Sequence, residues 1–191
     1  MSQFPILNDD YLAKSTKTAF SEIEQQFGIV PIFYRFLANC PPLVEAYWQT
    51  YQKVIGQGIL PINVKELIFL AVARKRQCAY CSSVHLAICD IFNIERQTLD
   101  ALMSNISKLQ PERVAKLISF CLLVMDNPES ITEQDYLQLQ NYGINRQEVL
   151  EALYSVAYAN SGIFLAKVTK IEIDQEVKDY LAEKKLCIRL D

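Results

Sequence analysis

The sequence predicts an all-α protein. Apolar residues recur at spacings of three and four along most of the chain, and segments that alternate between apolar and polar residues are almost absent. Only 5 of the 191 residues are glycine, which is too few for a loop-rich protein. About half of the residues are apolar, so the chain can bury a sizeable core. We therefore expect one all-helical domain over residues 1–191.

Capping residues, prolines and glycines delimit the predicted helices. Gly28 ends the first helix, and Pro31 and Pro42 open the next two, because proline is favoured in the first turn of a helix. Asn63 is expected to cap the fourth helix. The predicted helices cover residues 8–27, 31–37, 42–55, 64–76, 78–92, 95–103, 111–125, a segment after Thr132, a long segment after Asn145, and residues 175–185. Thr132 and Asn145 each precede an acid by three positions, which predicts a capping box at both helix starts.

A weak internal similarity relates two halves of the chain. Residues 63–67 and 145–149 both read Asn-x-x-Glu followed by an apolar residue, and both follow an isoleucine. Two interpretations stay open: an ancient repeat, or two helices that happen to share a capping pattern. The first half would contain residues 60–93 and the second about residues 110–175.

The net charge, the N-terminal residues and the length of the apolar runs argue against several classes of protein. A net charge of −3 offers no basic field for nucleic acid or for an anionic membrane surface. Residues 1–5 lack a basic start followed by an apolar run, so we expect no signal peptide. The continuous apolar stretches, such as residues 67–73, are too short to span a bilayer. We expect a cytoplasmic protein with reduced thiols, in which a disulfide would be transient and chemical.

One segment combines two thiols with the only histidine of the chain. Cys78, Cys81 and His85 form C-x2-C-x3-H, and Glu66 precedes Cys78 by twelve residues. On a helix, residues 78, 81 and 85 share one face. Cys78 would lie in the first turn, where free backbone N–H groups favour a thiolate. His85 is the base that the spacing brings within reach of Cys81.

These four residue types suit a thiol redox cycle. The Cys81 thiolate would attack the terminal oxygen of a hydroperoxide, and Cys78 would condense with the resulting sulfenic acid to form a disulfide. An external dithiol would reduce that disulfide by exchange. His85 would remove the thiol proton and could protonate the leaving alkoxide. Glu66 would set the tautomer of His85 or relay its proton through a water. The sequence contains no flavin or nicotinamide motif, so we expect no bound cofactor.

Other interpretations of the motif remain open. Zinc could use Cys78, Cys81, His85 and Cys89, but on one helix these residues span about 16 Å, so only a site sharing two ligands with another element is feasible. The two cysteines could also be small buried apolar side chains. Glu66 stands three residues after Asn63, so a capping box alone could explain it. Tyr47, Trp48 and Tyr51 are interpreted as core or subunit interface rather than as a substrate cage.

The spacing Glu66-x11-Cys78-x2-Cys81-x3-His85 resembles the signature of the alkylhydroperoxidase D-like proteins of the carboxymuconolactone decarboxylase superfamily. Residues 27–31, 41–46 and 60–61 resemble the lead-in of its peroxidase-related members, and residues 137–160 resemble its second helical repeat. The resemblance covers about residues 20–175. It departs at Ala79 and Tyr80, where some members carry a further histidine, which leaves this chain a single imidazole.

The resemblance implies an AhpD-like helical fold, a homo-oligomer that is a trimer or hexamer, and peroxidase or disulfide reductase activity. By motif position, Cys81 would be the peroxidatic thiol, Cys78 the resolving thiol, His85 the base and Glu66 the head of the proton relay. We expect a thiol peroxidase that reduces small or organic hydroperoxides with a dithiol or lipoamide-type reductant. The alternatives are a redox-sensing or adaptor protein with little turnover, a disulfide reductase serving another protein, or a scaffold with an inert site.

Overall fold

The computed structural model describes residues 4–188, and within that range it contains helices and no strand. The prediction of an all-α fold is therefore confirmed. The α-helices are α1 (Lys14–Phe27), α2 (Ile32–Leu37), α3 (Pro41–Thr50), α4 (Ile62–Lys75), α5 (Ala79–Ile91), α6 (Arg96–Ser104), α7 (Glu112–Asp126), α8 (Glu133–Asn141), α9 (Arg146–Thr169) and α10 (Gln175–Glu183). Short 3-10 turns occur at Asp9–Tyr11, Ile106–Lys108 and Pro128–Ser130.

Most helix ends follow the signals in the sequence. Gly28 ends α1 in the left-handed conformation with φ of 76°, and both predicted capping boxes form, at the starts of α8 and α9. The first predicted helix, residues 8–27, is wrong at its start. The Asn8 side chain accepts from the Asp10 N–H and closes a separate 3-10 turn, and Leu12 is extended before α1 begins.

A π-helical segment follows α3, where the sequence predicted a continuous α-helix to residue 55. The segment Tyr51–Gly56 has the wider i→i+5 turn, and it buries Tyr51 and Ile55. Its last carbonyls point toward the start of α4, where the Lys65 Nζ donates to the oxygens of Val54 (2.7 Å) and Ile55 (2.8 Å). The π-helix therefore presents one aromatic side chain to the interior and two acceptors to a buried lysine.

α4 is the central helix of the fold. Every residue from Lys65 to Ala73 is buried, because α4 packs against α5, α7 and α9. Gln77, with a positive φ of 52°, turns the chain between α4 and α5. That turn lays the cysteine-bearing helix directly on α4.

A buried ion pair joins α4 to α9. Lys65 is fully buried and pairs with Glu151. The other oxygen of Glu151 accepts from the backbone N–H groups of Ile59 (2.6 Å) and Leu60 (3.0 Å). A Cβ atom at Gly58 would overlap the Glu151 carboxylate, so only glycine fits beside this pair. Neither Lys65 nor Glu151 was predicted from the sequence.

α9 is one continuous helix of 24 residues. By length and composition α9 is apolar enough to cross a membrane, although it contains no long uninterrupted apolar run. The core helix of a soluble protein passes the same test, and 44% of the most apolar 18-residue stretch of α9 is buried inside the molecule. The division into halves at residues 60–93 and 110–175 stays a prediction.

Candidate active site

Glu66 and His85 meet across the contact between α4 and α5. The expected cap at Asn63 is wrong, because α4 begins at Ile62 and Pro61 takes the capping position with φ of −54°. Glu66 therefore lies in the second turn, is fully buried, and has one carboxylate oxygen 2.8 Å from the His85 Nδ1. The capping-box explanation of Glu66 is excluded. A proton on Nδ1 leaves Nε2 of His85 as the acceptor.

Tyr51 completes the contacts of the carboxylate. Its hydroxyl donates to the other Glu66 oxygen at 3.0 Å. Burial, together with the Glu66 charge, raises the pKa of Tyr51 well above its usual value, so the hydroxyl keeps its proton. The His85 ring packs on Phe69, with ring centroids 5.0 Å apart. The imidazole is thus held by the Glu66 carboxylate at Nδ1 and by the tilted Phe69 ring packed beside it.

The two cysteines lie at the start of α5. Cys78 is the N-cap residue, and its Sγ accepts from the backbone N–H of Cys81 at 3.4 Å. The two sulfur atoms are 2.8 Å apart, and both cysteines are free thiols. Cys78 is 3% exposed and Cys81 is 8% exposed. The predicted pair is therefore formed on the predicted helix and is almost fully shielded from solvent.

The two thiols differ sharply in acidity. The hydrogen bond from the Cys81 thiol lowers the pKa of Cys78 to about 7 against the effect of burial, with help from the Cys81 N–H and the charges of His85 and Lys167. The same hydrogen bond, burial and the Cys78 charge raise the pKa of Cys81. The pair therefore loses one proton readily and holds the other, with the charge on Cys78. The attacking role of Cys81 stays a prediction.

Cys81, and not Cys78, faces a cavity of about 70 Å³. His85 lines the same cavity, as does Tyr51. Half of the remaining lining residues are aromatic, and these come from six helices: Phe27, Phe33, Tyr34, Tyr47, Phe69, Tyr80 and Tyr158. A small molecule in this cavity would meet one sulfur, one imidazole and an apolar surface.

The interpretation of Tyr47 and Tyr51 as core is confirmed for Tyr51, which is buried in the hydrophobic core, and Tyr47 packs against that core. Both residues also line the cavity. Trp48 does lie behind them, 2% exposed, with its ring stacked on Tyr51 at 5.6 Å. Tyr47 stacks on Tyr158 at 4.3 Å, and a Cβ at Gly162 would lie 2.6 Å from the Tyr47 hydroxyl. Aromatic residues at helical spacing look the same in a core and in a cavity wall, so the sequence could not separate the two.

Three further contacts hold the segments around the cysteine pair in place. None of them was predicted from the sequence. The Tyr80 hydroxyl accepts from the backbone N–H of Phe33 at 3.1 Å, which ties α2 to the cysteine helix. Asp174 accepts from Ile32 at 2.6 Å. The Lys167 Nζ donates to the carbonyl of Arg76 at 2.9 Å, at the turn just before Cys78. Each contact joins segments far apart in sequence, so spacing carries no signal of it.

The zinc alternative requires ligands to converge. Among residues 4–188, no group of three or more His, Cys, Asp or Glu side chains is arranged to hold a metal ion. α5 is continuous through Cys89, which is fully buried, so the four residues considered remain spread along one helix.

The segment that holds these residues matches a known family. Residues 41–106, which include Glu66, Cys78, Cys81 and His85, match the model of the carboxymuconolactone decarboxylase family. No curated protein matches this chain.

Solved structures with a similar fold cover nearly the whole chain. An alkylhydroperoxidase AhpD core, an uncharacterized peroxidase-related protein from Ralstonia eutropha JMP134, is 22% identical over 94% of this chain and 95% of its own, with a TM-score of 0.86. A peroxidase-related protein from Silicibacter sp. TM1040 is 20% identical over 92% of each chain, with a TM-score of 0.81. A variant of the debrominase Bmp8 in complex with 2,3,4-tribromopyrrole is 17% identical over 96% of this chain and 99% of its own, with a TM-score of 0.77. The match over residues 41–106 and the shared AhpD-like helical fold support the resemblance drawn from the motif.

Proposed function

We propose that this protein is a thiol peroxidase that reduces small hydroperoxides through a Cys78–Cys81 dithiol and disulfide cycle. The observation that carries the proposal is the placement of Cys81 beside the cavity that His85 also lines, with the Cys78 sulfur 2.8 Å behind it. The Glu66 carboxylate, 2.8 Å from Nδ1, holds the imidazole in one orientation. The peroxidase-related structures of similar fold support the same class of reaction.

The first step oxidises Cys81. In the proposed reactive state, the pair has passed one proton to His85, which acts as the base, and keeps the other proton between the two sulfur atoms. When the shared proton moves to Cys78, the Cys81 thiolate attacks the terminal oxygen of the hydroperoxide. The O–O bond breaks, Cys81 becomes a sulfenic acid, and the leaving alkoxide takes the proton from His85 and departs as an alcohol.

The second step forms the disulfide, and the third restores the thiols. The Cys78 thiol condenses with the Cys81 sulfenic acid and releases water. An external dithiol then reduces the disulfide by exchange and is itself oxidised to a disulfide. One regenerated thiol returns its proton to His85, so each cycle converts one hydroperoxide and one dithiol into an alcohol, water and one disulfide. We propose that no bound cofactor takes part, and that the cycle runs in a reducing compartment such as the cytoplasm.

Cavity size favours a small substrate. A cavity of about 70 Å³ holds about two water molecules at about 30 Å³ each, whereas a cavity known to bind benzene measures about 150 Å³. Hydrogen peroxide or a short alkyl hydroperoxide therefore fits without rearrangement. A bulky hydroperoxide would require the aromatic wall to open.

A second candidate is dehalogenation of a small aromatic compound. The aromatic wall favours it, and one protein of similar fold is a debrominase that binds 2,3,4-tribromopyrrole. A halogenated ring exceeds the cavity as it stands, so we rank this activity second. Reaction of the reduced protein with tribromopyrrole, followed by bromide release, distinguishes the two candidates.

Steady-state peroxide consumption tests the proposal. With dihydrolipoamide as reductant, we expect ethyl hydroperoxide to be consumed faster than cumene hydroperoxide. Cys81→Ser should abolish consumption, and Cys78→Ser should stop after one turnover with a dimedone-reactive sulfenic acid on Cys81. Undiminished turnover in Cys81→Ser would reject the assignment. A sulfenic acid trapped on Cys78 in the Cys81→Ser variant, with turnover retained, would exchange the roles of the two thiols.

A further inference from the structure

A path from solvent to the Cys81 sulfur has to pass cavity-lining residues that themselves reach solvent. Most residues that line the cavity are buried, and Cys81 is one of them. The partly exposed members of the lining are Phe27, Tyr47, Val84, His85 and Tyr158. A compound that enters the cavity therefore passes side chains of this set, which includes the stacked pair Tyr47–Tyr158.

The two tyrosines of this pair hold each other across the contact between α3 and α9. The Tyr158 hydroxyl donates to the backbone carbonyl of Tyr47 at 3.0 Å, and the Tyr47 hydroxyl donates to the carbonyl of Tyr158 at 3.5 Å. Burial raises the pKa of both hydroxyls above the usual value, so both keep their protons. The bond from Tyr47 is longer than a strong O–H···O bond. Tyr158 is therefore fixed by its hydrogen bond, whereas Tyr47 depends on packing.

Gly162 provides the space in which the Tyr47 hydroxyl packs. All five glycines of the chain lie among the described residues, and Gly162 alone is inside an α-helix, where glycine is less stable than alanine. A Cβ atom at this position would lie 2.6 Å from the Tyr47 hydroxyl oxygen but 3.7 Å from the ring carbon Cζ, which is an ordinary contact. The hydroxyl thus fills the space that a side chain at position 162 would occupy.

The Tyr47 ring takes up room beside the cavity. It packs on Phe33 and Tyr34, with ring centroids at 5.1 and 6.0 Å, and both of these residues are buried in the cavity wall. With this ring in place the cavity measures about 70 Å³, whereas about 150 Å³ is known to accommodate benzene. Removal of the ring would add room for about one aromatic group. The position of Tyr47 therefore decides whether a ring-bearing compound fits beside Cys81.

We propose that Tyr47 is a specificity-determining residue of this site: its ring, seated on Gly162, admits small compounds to Cys81 and excludes those that carry an aromatic ring. The inference rests on the proposed function only in taking the natural compounds to be hydroperoxides. An aromatic hydroperoxide reaches the sulfur only when Tyr47 leaves its seat, whereas ethyl hydroperoxide enters with Tyr47 in place.

Two thiol reagents with the same chemistry and different sizes test this role without a peroxide. Methyl and benzyl methanethiosulfonate both convert a thiol to a mixed disulfide and release methanesulfinate, and they differ by one phenyl group. In the Cys78→Ser background Cys81 remains as the thiol of the site, and the exposed Cys40 and Cys187 report the intrinsic reactivity of each reagent. Peptide mass mapping over time gives the labelling rate at each cysteine.

The benzyl reagent should label Cys81 about tenfold more slowly than the methyl reagent, after normalisation to Cys40, and Tyr47→Ala should remove most of this difference. Tyr47→Phe keeps the ring and should keep the selectivity. Tyr11→Ala, at a tyrosine that is 83% exposed and outside the cavity lining, is the matched control and should label as its parent does. Should Tyr47→Ala be unfolded by circular dichroism, Tyr47→Leu, which also lacks the ring, takes its place.

Hydroperoxide turnover separates this proposal from the peroxidase activity itself. In Tyr47→Ala the ratio of kcat/KM for cumene hydroperoxide to that for ethyl hydroperoxide should rise about tenfold over the wild type. Size-selective labelling that depends on Tyr47, in a protein that consumes neither hydroperoxide, would reject the peroxidase function and support the role of Tyr47. An unchanged benzyl-to-methyl ratio in the folded ring-deleted variant would overturn the role of Tyr47, even where the wild type is an active peroxidase.

The seat on Gly162 has a separate test in thermal unfolding. Gly162→Ala should lower the Tm when Tyr47 is present, because the new Cβ meets the hydroxyl at 2.6 Å. In the Tyr47→Phe background the same change should raise the Tm, because the hydroxyl is gone and alanine favours the helix. A shift of the same sign in both backgrounds would overturn the seat.

Discussion

Helices α4 and α9 begin with the same pattern, Ile-Asn-x-x-Glu, and use it in opposite ways. In α9 the Asn145 side chain accepts from the N–H groups of Gln147 (2.9 Å) and Glu148 (3.0 Å), and Glu148 accepts from the Asn145 N–H (2.9 Å). In α4 the helix starts one residue before Asn63, and Glu66 turns inward to His85. The same residue pattern forms a helix cap in α9 and places a buried carboxylate in the candidate active site in α4.

The residue two positions before the asparagine decides the difference. Pro61 precedes Asn63 by two, and its fixed φ lets the helix begin at Ile62. Gly143 precedes Asn145 by two, and its φ of 71° turns the chain so that Asn145 itself becomes the cap. A helix start that moves by two residues rotates the glutamate from the helix end to its buried side.

The largest difference in activity is expected between the variants Glu66→Gln and Glu148→Gln. The first change removes the carboxylate that holds His85, and we expect it to lower kcat for ethyl hydroperoxide by about 10²-fold, the lower range for general acid–base groups. Glu148→Gln should leave the rate within about twofold and lower the free energy of unfolding by about 1 kcal/mol. Equal loss of activity in both variants would contradict the contrast.

The ion pair that joins the two helix starts should contribute strongly to stability. Lys65→Met leaves Glu151 buried without its cation, and breaking a buried pair in this way costs about 3–5 kcal/mol. Urea unfolding measures the loss. Lys116→Met, at a half-exposed lysine whose distance to Glu112 is 3.8 Å, is the matched control and should change the free energy by less than about 0.5 kcal/mol.

A third helix start, that of α5, uses a sulfur atom where α9 uses an amide oxygen. Cys78 caps α5, and its pKa is about 7 because the Cys81 thiol donates to it. The thiolate is the form that reacts with iodoacetamide, so the alkylation rate should rise with pH, pass its midpoint near pH 7 and level off above it. Cys81→Ala removes the donor, and the midpoint should then move up toward the usual range of a free thiol. An unchanged midpoint would show that this hydrogen bond does not set the acidity.

The smallest difference is expected between Asn145→Ala and Asn63→Ala, in the free energy of unfolding. Asn145→Ala removes a cap and should cost about 1 kcal/mol of the free energy of unfolding. Asn63→Ala, in the interior of the first turn of α4, should cost less than about 0.5 kcal/mol. Denaturant titration of both variants measures this difference. A larger loss of unfolding free energy in Asn63→Ala than in Asn145→Ala would show that Asn63 does cap α4.

The sequence predicted the features that depend on spacing within one helix. Cys81 and His85 lie on α5 as their spacing requires, and Cys78 caps that helix instead of lying in its first turn. The caps at Thr132 and Asn145 form because both partners are local. Gly28 ends α1 in the left-handed conformation, as expected. Local geometry needs no knowledge of how helices cross.

Contacts between helices could not be predicted in the same way. The Tyr51–Glu66 hydrogen bond requires the π-helix after α3 to lie over the second turn of α4, and the Lys65–Glu151 pair requires α9 to cross α4. Even the Glu66–His85 contact, which the motif suggested, depended on where α4 starts. The aromatic wall of the cavity could not be predicted from the sequence, because the packing of the helices, and not the residue spacing, distinguishes a cavity wall from a core.

The most direct test of the proposed cycle is to treat the fully reduced protein with one equivalent of ethyl hydroperoxide and to map its peptides by mass, with and without dihydrolipoamide. We expect a Cys78–Cys81 disulfide that forms rapidly and is reduced again over many cycles. Thiols that remain free, or a disulfide that forms once and is not turned over by dihydrolipoamide or another dithiol, would contradict it.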